Sequence, residues 1–288
     1  MKSFLLIVVA CVAATQAAID WDNLRHMDNY IYPGELKPIQ DLGLEGRVVG
    51  GHEAKIGQFP HQVGVFLQLS NGQAFCGGSL ISKKYVLTAA HCAEGVSNFT
   101  LVLGAHNIRG NDPTRVELEA GKALVHPKYD NKNIVNDIAI ITLPKEVQLN
   151  NNIQLIRLPS KSDKSSHAEE PSIISGWGKP TDSASGISPV LKYAENRILT
   201  NEYCGELLFG REVPKTQVCQ SGKNGNSACN GDSGGPLTIT EKDNVKTQVG
   251  ITSYGTILGC SIGLPTSYTR VSEYLDFIAE NTDVKLRP

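Results

Sequence analysis

Gly231-Asp232-Ser233-Gly234-Gly235-Pro236 places one hydroxyl on a backbone crowded with glycine. Glycines on both sides of Ser233 admit dihedrals closed to other residues and leave peptide N–H groups unshielded, as a turn that binds an oxyanion requires. The same composition also describes an ordinary surface turn. The two readings separate only if the rest of the chain supplies a base, an acid to orient it and a scaffold that brings them together.

Upstream, Thr88-Ala89-Ala90-His91-Cys92 sets a histidine directly after an apolar strand pattern. A lone histidine there is more often a satisfied structural residue. Asp137, in Asn136-Asp137-Ile138-Ala139-Ile140, is stranger, because this carboxylate opens a run whose next side chains belong in a core. A buried carboxylate needs a partner, and an imidazole N–H would satisfy it while having its own tautomer and orientation fixed.

The scaffold reads as β. Apolar runs of strand length fall at residues 62–69, 78–81, 85–90, 99–103 and 138–143, and again at 172–175, 215–219, 236–239, 247–253 and 266–271. A polar stretch, 159–171, separates the two sets, which predicts two β units joined by a linker. Val271, Tyr274, Leu275 and Ile278 recur at helical spacing, so a C-terminal amphipathic helix is expected over 271–281. The 28 glycines and 14 prolines suit a turn-rich all-β protein, and 40% hydrophobic against 19% charged residues excludes a disordered chain.

Net charge is only −2, which gives no electrostatic case for nucleic acid. Met1-Lys2, the apolar run 4–14 and Thr15-Gln16-Ala17 read as a cleaved signal peptide, 1–17, too short to span a bilayer. A secreted, extracellular protein with no membrane segment is therefore expected. Cys11 leaves with the signal, and Cys76, Cys92, Cys204, Cys219, Cys229 and Cys260 remain as an even set in an oxidising compartment. Six cysteines allow 15 pairings. Metal binding is the competing use, but paired CxxC spacing is missing. Residues 18–47 show neither a helical nor a strand period and look like a separable extension ending at Arg47, before Val48-Val49-Gly50-Gly51. That junction reads either as a cleavage site or as a linker entering a strand.

Taken in order, Val48-Val49-Gly50-Gly51, Thr88-Ala89-Ala90-His91-Cys92, Asp137-Ile138-Ala139, Gly176-Trp177-Gly178, the hexapeptide around Ser233 and Ser253-Tyr254-Gly255 closely resemble the chymotrypsin-like serine proteases. The resemblance runs from Val48 to about Asn281. It implies an all-β fold of two packed six-stranded antiparallel barrels, about 48–158 and 172–270, with the active site in the cleft between them. It implies a triad in which Ser233 attacks, His91 moves the proton and Asp137 holds His91, with the Gly231 and Ser233 amides as oxyanion donors. It further implies the disulfides Cys76–Cys92, Cys204–Cys219 and Cys229–Cys260. A zymogen is implied as well: residues 18–47 are the activation peptide, a trypsin-like protease cleaves after Arg47, and the freed Val48 ammonium pairs with Asp232. Many relatives hold the zymogen aspartate with a histidine two residues before the equivalent of Cys76, where this chain has Ala74.

The resemblance places Ser227 and Thr266 at the base of the primary pocket and Gly255 at its mouth. None is a carboxylate, so cleavage after Phe, Leu, Met or Tyr is expected rather than after Arg or Lys. Thr266 should shorten the floor. Ser253, Tyr254 and Gly255 should pair with substrate backbone as an added strand, with Tyr254 in place of the usual tryptophan. No cofactor and no required metal are expected; Ala105-His106-Asn107 lacks the early acidic ligand of the calcium loop. Asn98-Phe99-Thr100 is a glycosylation acceptor pattern. Expected partners are protein or peptide substrates, the activating protease and protein protease inhibitors, and the enzyme is expected to be a monomer. The competing readings are a catalytically silent binding module, which the intact set His91, Asp137 and Ser233 disfavours, and a narrowly regulatory protease.

Overall fold

The computed structural model describes residues 19–31 and 51–288. The signal peptide, Arg47 and Val48 lie outside the described residues.

Two short strands, β1 (Arg25–His26) and β2 (Asn29–Ile31), belong to the N-terminal extension, and β3 (His52–Glu53) begins the body. The first sheet comprises β4 (Gln62–Leu69), β5 (Gly72–Leu80), β6 (Tyr85–Thr88), β7 (Asn98–Leu103), β8 (Val116–Ala120), β9 (Ala123–Val125) and β10 (Ala139–Thr142). Their order is β8-β7-β4-β5-β6-β10-β9, so the sheet has one short strand more than the six expected. The second sheet comprises β11 (Pro171–Gly176), β12 (Lys192–Leu199), β13 (Gln217–Gln220), β14 (Pro236–Thr240), β15 (Lys246–Thr256) and β16 (Thr266–Arg270). It runs β11-β14-β15-β16-β13-β12, and β12 pairs back with β11 to close a ring of six. All of these pairings are antiparallel.

Both barrel-like sheets fill their interiors with β-branched and leucine side chains. Val63, Val65, Leu87 and Leu101 are fully buried in the first, and Ile198, Val218 and Leu237 in the second. Glycine lets layers approach where they are closest. A Cβ on Gly78 would lie 2.9 Å from Val86 and 3.1 Å from Val65. The C-terminal segment opens as a 3-10 turn, Val271–Tyr274, and becomes α-helical only over Leu275–Asn281. Its Leu275 and Ile278 pack into the core of the first sheet, so the end of the chain crosses from one sheet to the other. A helix not anticipated, Asn201–Leu207, starts on Thr200, whose hydroxyl accepts from the Tyr203 amide at 3.1 Å.

Residues 19–31, read as a separable extension, are docked on the body. β1 pairs with β5 and β2 with β15, and both ladders are parallel. Trp21 stands edge-on to Phe66, with centroids 5.4 Å apart, under the Arg109 guanidinium at 5.0 Å. At the other end Ile31 is buried with Leu199 and Tyr254. Two- and three-residue strands leave no periodicity, which is why they could not be read from the residues alone.

Candidate active site

His91 lies just beyond β6, in a turn tied by the Cys76–Cys92 disulfide to β5. Asp137 precedes β10, after Ile134 and Asn136 at φ of 54° and 55°. The Asn136 side chain fixes that turn by donating to Lys128 O at 2.6 Å and accepting from the Tyr274 hydroxyl at 2.9 Å. These two loops bring the imidazole to the carboxylate: His91 Nδ1 is 2.8 Å from Asp137 Oδ2, and the His91 amide donates to Oδ1 at 2.9 Å. Asp137 is 1% exposed, and the Ser253 hydroxyl donates to its Oδ2 at 2.6 Å.

Burial opposes ionisation of both groups. Their mutual charge and hydrogen bonds reverse the balance, raising His91 above an ordinary imidazole and holding Asp137 below the usual carboxylate range. Ser253, expected to serve substrate, thus turns its side chain to Asp137.

Ser233 comes from the second sheet, in the loop leading to β14. Its carbonyl accepts from the Gly77 amide of the first sheet at 2.7 Å, so the Ser233 loop is pinned across the cleft. Close approach is what Gly77 permits, since a Cβ there would lie 3.0 Å from Gly235 Cα. Gly231 has φ 94° and Gly234 φ 78°, the left-handed region, and a Cβ on Gly234 would meet Thr88 Oγ1 and Gly77 O. Asp232 points away from the cleft and accepts from the Cys229 amide at 2.9 Å and the Gly178 amide at 2.8 Å. Burial, with the charge of Asp28, pushes its carboxyl up to about 6 against these two donors, and among the described residues no cation pairs with it. Gly51 and Asp232 line one small cavity of about 30 Å³.

The pocket beside Ser233 has a neutral floor: Ser227 and Thr266 share a hydroxyl–hydroxyl bond of 2.7 Å and are both buried. A Cβ on Gly255 would meet nothing within 4 Å, so this residue itself does not narrow the mouth. The Cys229–Cys260 disulfide joins its walls, and Asp182 accepts from the Cys260 amide at 2.7 Å and the Ser261 amide at 3.1 Å. Cys204–Cys219 ties the Asn201–Leu207 helix to β13. Tyr254 is buried, its hydroxyl donating to Gln217 Oε1 at 2.9 Å, which leaves its backbone to form the wall of the cleft. Asn98 is exposed at the start of β7, well outside this region of the fold.

The Trypsin family model matches residues 48–278. The chain belongs to the trypsin family. It is a chymotrypsin-like serine endopeptidase, which is what the curated relatives of this family member share. Brachyurin of Leptuca pugilator is 40% identical over 237 residues, 82% of this chain and 99% of that protein. Chymotrypsin of Phaedon cochleariae is 38% identical over 286 residues, covering 98% of this chain and 99% of the relative, so that similarity extends into the N-terminal extension. A solved HL collagenase structure superposes with a TM-score of 0.74 at 30% identity, covering 83% of this chain and all of the other.

The cleft of this trypsin-family member is occupied by its own extension. The Met27 carbonyl faces His91 Nε2 at 3.1 Å, and Asp28 Oδ1 accepts from the Ser233 hydroxyl at 3.2 Å and the Gly231 amide at 3.3 Å. Tyr254 and Gly255, expected with Ser253 to receive substrate backbone, pair with Asn29 and Tyr30, and Thr256 pairs with Ile31. Met27, Asp28 and Tyr30 were missed in the sequence because nothing in residues 18–47 marks these side chains, or a backbone carbonyl, as ligands of the cleft.

Proposed function

We propose that this endopeptidase is secreted as a precursor, activated by cleavage after Arg47, and cleaves its substrates after Phe, Leu, Met or Tyr. Ser233 Oγ attacks the scissile carbonyl as His91 Nε2 takes its proton. The Gly231 and Ser233 amides hold the oxyanion, and the protonated His91 then gives its proton to the leaving amine. Asp137 keeps Nδ1–H as donor and stabilises the imidazolium. Water, activated by His91 in turn, releases the acyl group.

The observation that carries this reading is the 2.8 Å His91–Asp137 contact beside a glycine-flanked Ser233 whose loop is pinned by Gly77. Supporting the switch is Asp232, which among the described residues has no cation beside it and lines a cavity with Gly51. Val48 is three residues from Gly51, within about 10 Å of chain reach, so a freed ammonium has the length to arrive there. The neutral Ser227–Thr266 floor supports an apolar preference, since a substrate cation would be desolvated without a counter-charge. Three disulfides suit an oxidising extracellular compartment.

A fluorophosphonate should label Ser233 after cleavage at Arg47 and fail to label Ser233→Ala. A panel of peptide anilides should rank Phe, Leu, Met and Tyr ahead of Arg and Lys; Arg or Lys first would refute the pocket assignment. Activation of Arg47→Gln by trypsin to full activity would refute the switch.

A further inference from the structure

The two parallel ladders of residues 25–31 stand out in a body whose own strands all pair antiparallel, because they are the contacts that reach the catalytic side chains. What they bring there is chemically specific. Asp28 Oδ1 receives the Ser233 hydroxyl and the Gly231 amide, and Asp28 Oδ2 receives the Asn230 side-chain amide at 2.7 Å. Tyr30 extends to the pocket mouth, where its hydroxyl meets the same Asn230 amide.

We propose that residues 19–31 are a tethered inhibitor that closes the cleft by seating a carboxylate, not a peptide carbonyl, against Ser233 and the Gly231 amide. This rests on the assignment of His91 and Ser233 as base and nucleophile. The seated group is a charge mimic of the oxyanion the site is built to hold, and a carboxylate carbon is a poor electrophile, so the segment binds without being cleaved. The base is disabled at the same time. Asp137 accepts from Nδ1–H and the Met27 carbonyl has only lone pairs to offer, so both ring nitrogens must be donors and His91 is held as imidazolium, unable to take the Ser233 proton. Burial works against that charge, but Asp137, Asp28 and the Met27 carbonyl outweigh it and keep the histidine's basicity raised.

The hold is distributed. Trp21 and Leu24 pack in the cluster of Phe66 and Phe75, the Asp20 amide donates to Gln73 Oε1 at 2.8 Å, and Arg25 donates to Asn71 Oδ1 at 3.0 Å. β1 runs along Ala74 and Phe75, so the segment docks at the very position where this chain lacks the histidine expected by resemblance. No cysteine lies in residues 18–47, so after cleavage no disulfide holds the segment to the body. Its release is then a second step of activation.

The test uses the full chain cleaved after Arg47, with the released peptide and the activating protease removed. Hydrolysis of a Phe anilide and labelling by a fluorophosphonate are measured first. A synthetic peptide of residues 19–31 is then added in trans. Competitive inhibition is expected, with slowed labelling, and the peptide should be recovered intact. A D28A peptide should inhibit about tenfold more weakly or worse, because two charge-assisted bonds at the nucleophile are gone.

A short tether supplies an effective concentration on the order of 1 mM. An active, labelled enzyme that is not inhibited at that concentration overturns the inference while leaving the triad standing. Cleavage of the peptide as a substrate, or equal inhibition by D28A, overturns it too. An enzyme that neither hydrolyses the anilide nor takes up the label defeats the triad reading, and the inference with it.

Discussion

Asp232 is a buried carboxylate whose charge bears on stability and, in the switch proposed above, on activation. Its pKa rises from the ordinary 3.8 to about 6, which corresponds to a cost on the order of 3 kcal/mol for carrying the charge in the folded chain. The sign is that of an acid raised on folding: the cost is present in full above pH 6 and fades as the folded form takes up its proton between about 6 and 4. An arriving ammonium at Asp232 would remove it by pairing. Asp232→Asn removes that cost but turns an NH2 toward one of the two amide donors at Cys229 and Gly178, a loss of about 1–3 kcal/mol. The precursor should therefore stay about as resistant to denaturant at neutral pH as the parent. The cleaved form should lose kcat/KM by at least about 10²-fold, the scale of a lost oxyanion donor. Denaturation midpoints of both forms, together with anilide kinetics, check this. Asp137→Asn tests a different coupling. By the precedent of triads in this family it should lower kcat about 10⁴-fold, because the imidazole settles in the wrong tautomer.

These residues were legible because the chemistry restricts them. A carboxylate opening an apolar strand and a serine between glycines are costly unless used, so Asp137 and Ser233 stood out one by one. The elements were legible where alternation or continuous burial is long: β4 and β14 fall almost where the apolar runs place them. β12 did not, because its Lys192, Glu195 and Arg197 interrupt the apolar pattern while the strand is held by pairing on both sides. β15 ran further than expected, to Thr256, because the docked β2 gives its last three residues a partner. Within the extension's distributed hold, Trp21 contributes contacts that are aromatic and cationic rather than periodic. Trp21→Ala should weaken docking by about 1–3 kcal/mol, roughly 5- to 150-fold in the population of the undocked segment. Arg25, exposed but tied to Asn71, reports on it: limited proteolysis of the precursor at Arg25 should accelerate by that factor. An unchanged rate would mean that Trp21 does not anchor the segment.

At the scale of the molecule, the site exists only where the two sheets meet. Ser79 donates to Gln248 at 2.6 Å, Ser175 to Gln62 at 2.6 Å, and Thr269 to the Asp137 carbonyl at 2.7 Å, so hydrogen bonds from both sheets fix the separation of His91 from Ser233. The docked segment spans that junction, covers His91 of the body and carries His26 of its own, and the two proton affinities shift oppositely. His91 faces Asp137 from the β10 loop and Asp28 from the extension, which with the Met27 carbonyl overcome burial and raise it. His26 is half-buried with Nδ1 unpartnered among the described residues; burial lowers it and Lys179 adds to this, while Asp28 opposes.

The contributions that docking adds at His91, the charge of Asp28 and the Met27 carbonyl, favour its proton, whereas burial on docking disfavours one at His26. Affinity of the 19–31 peptide for the cleaved enzyme should weaken as pH rises through the docked His91 pKa, because the imidazolium that donates to Met27 is lost. It should weaken again as pH falls through the free His26 value, because docking then requires that residue to shed its proton. Each limb approaches at most about tenfold in the inhibition constant per pH unit. A peptide carrying His26→Gln should keep the alkaline limb and lose the acid one. An acid limb that survives this change would assign the second titration elsewhere, and a flat alkaline limb would mean that His91 is not held as imidazolium beneath Met27.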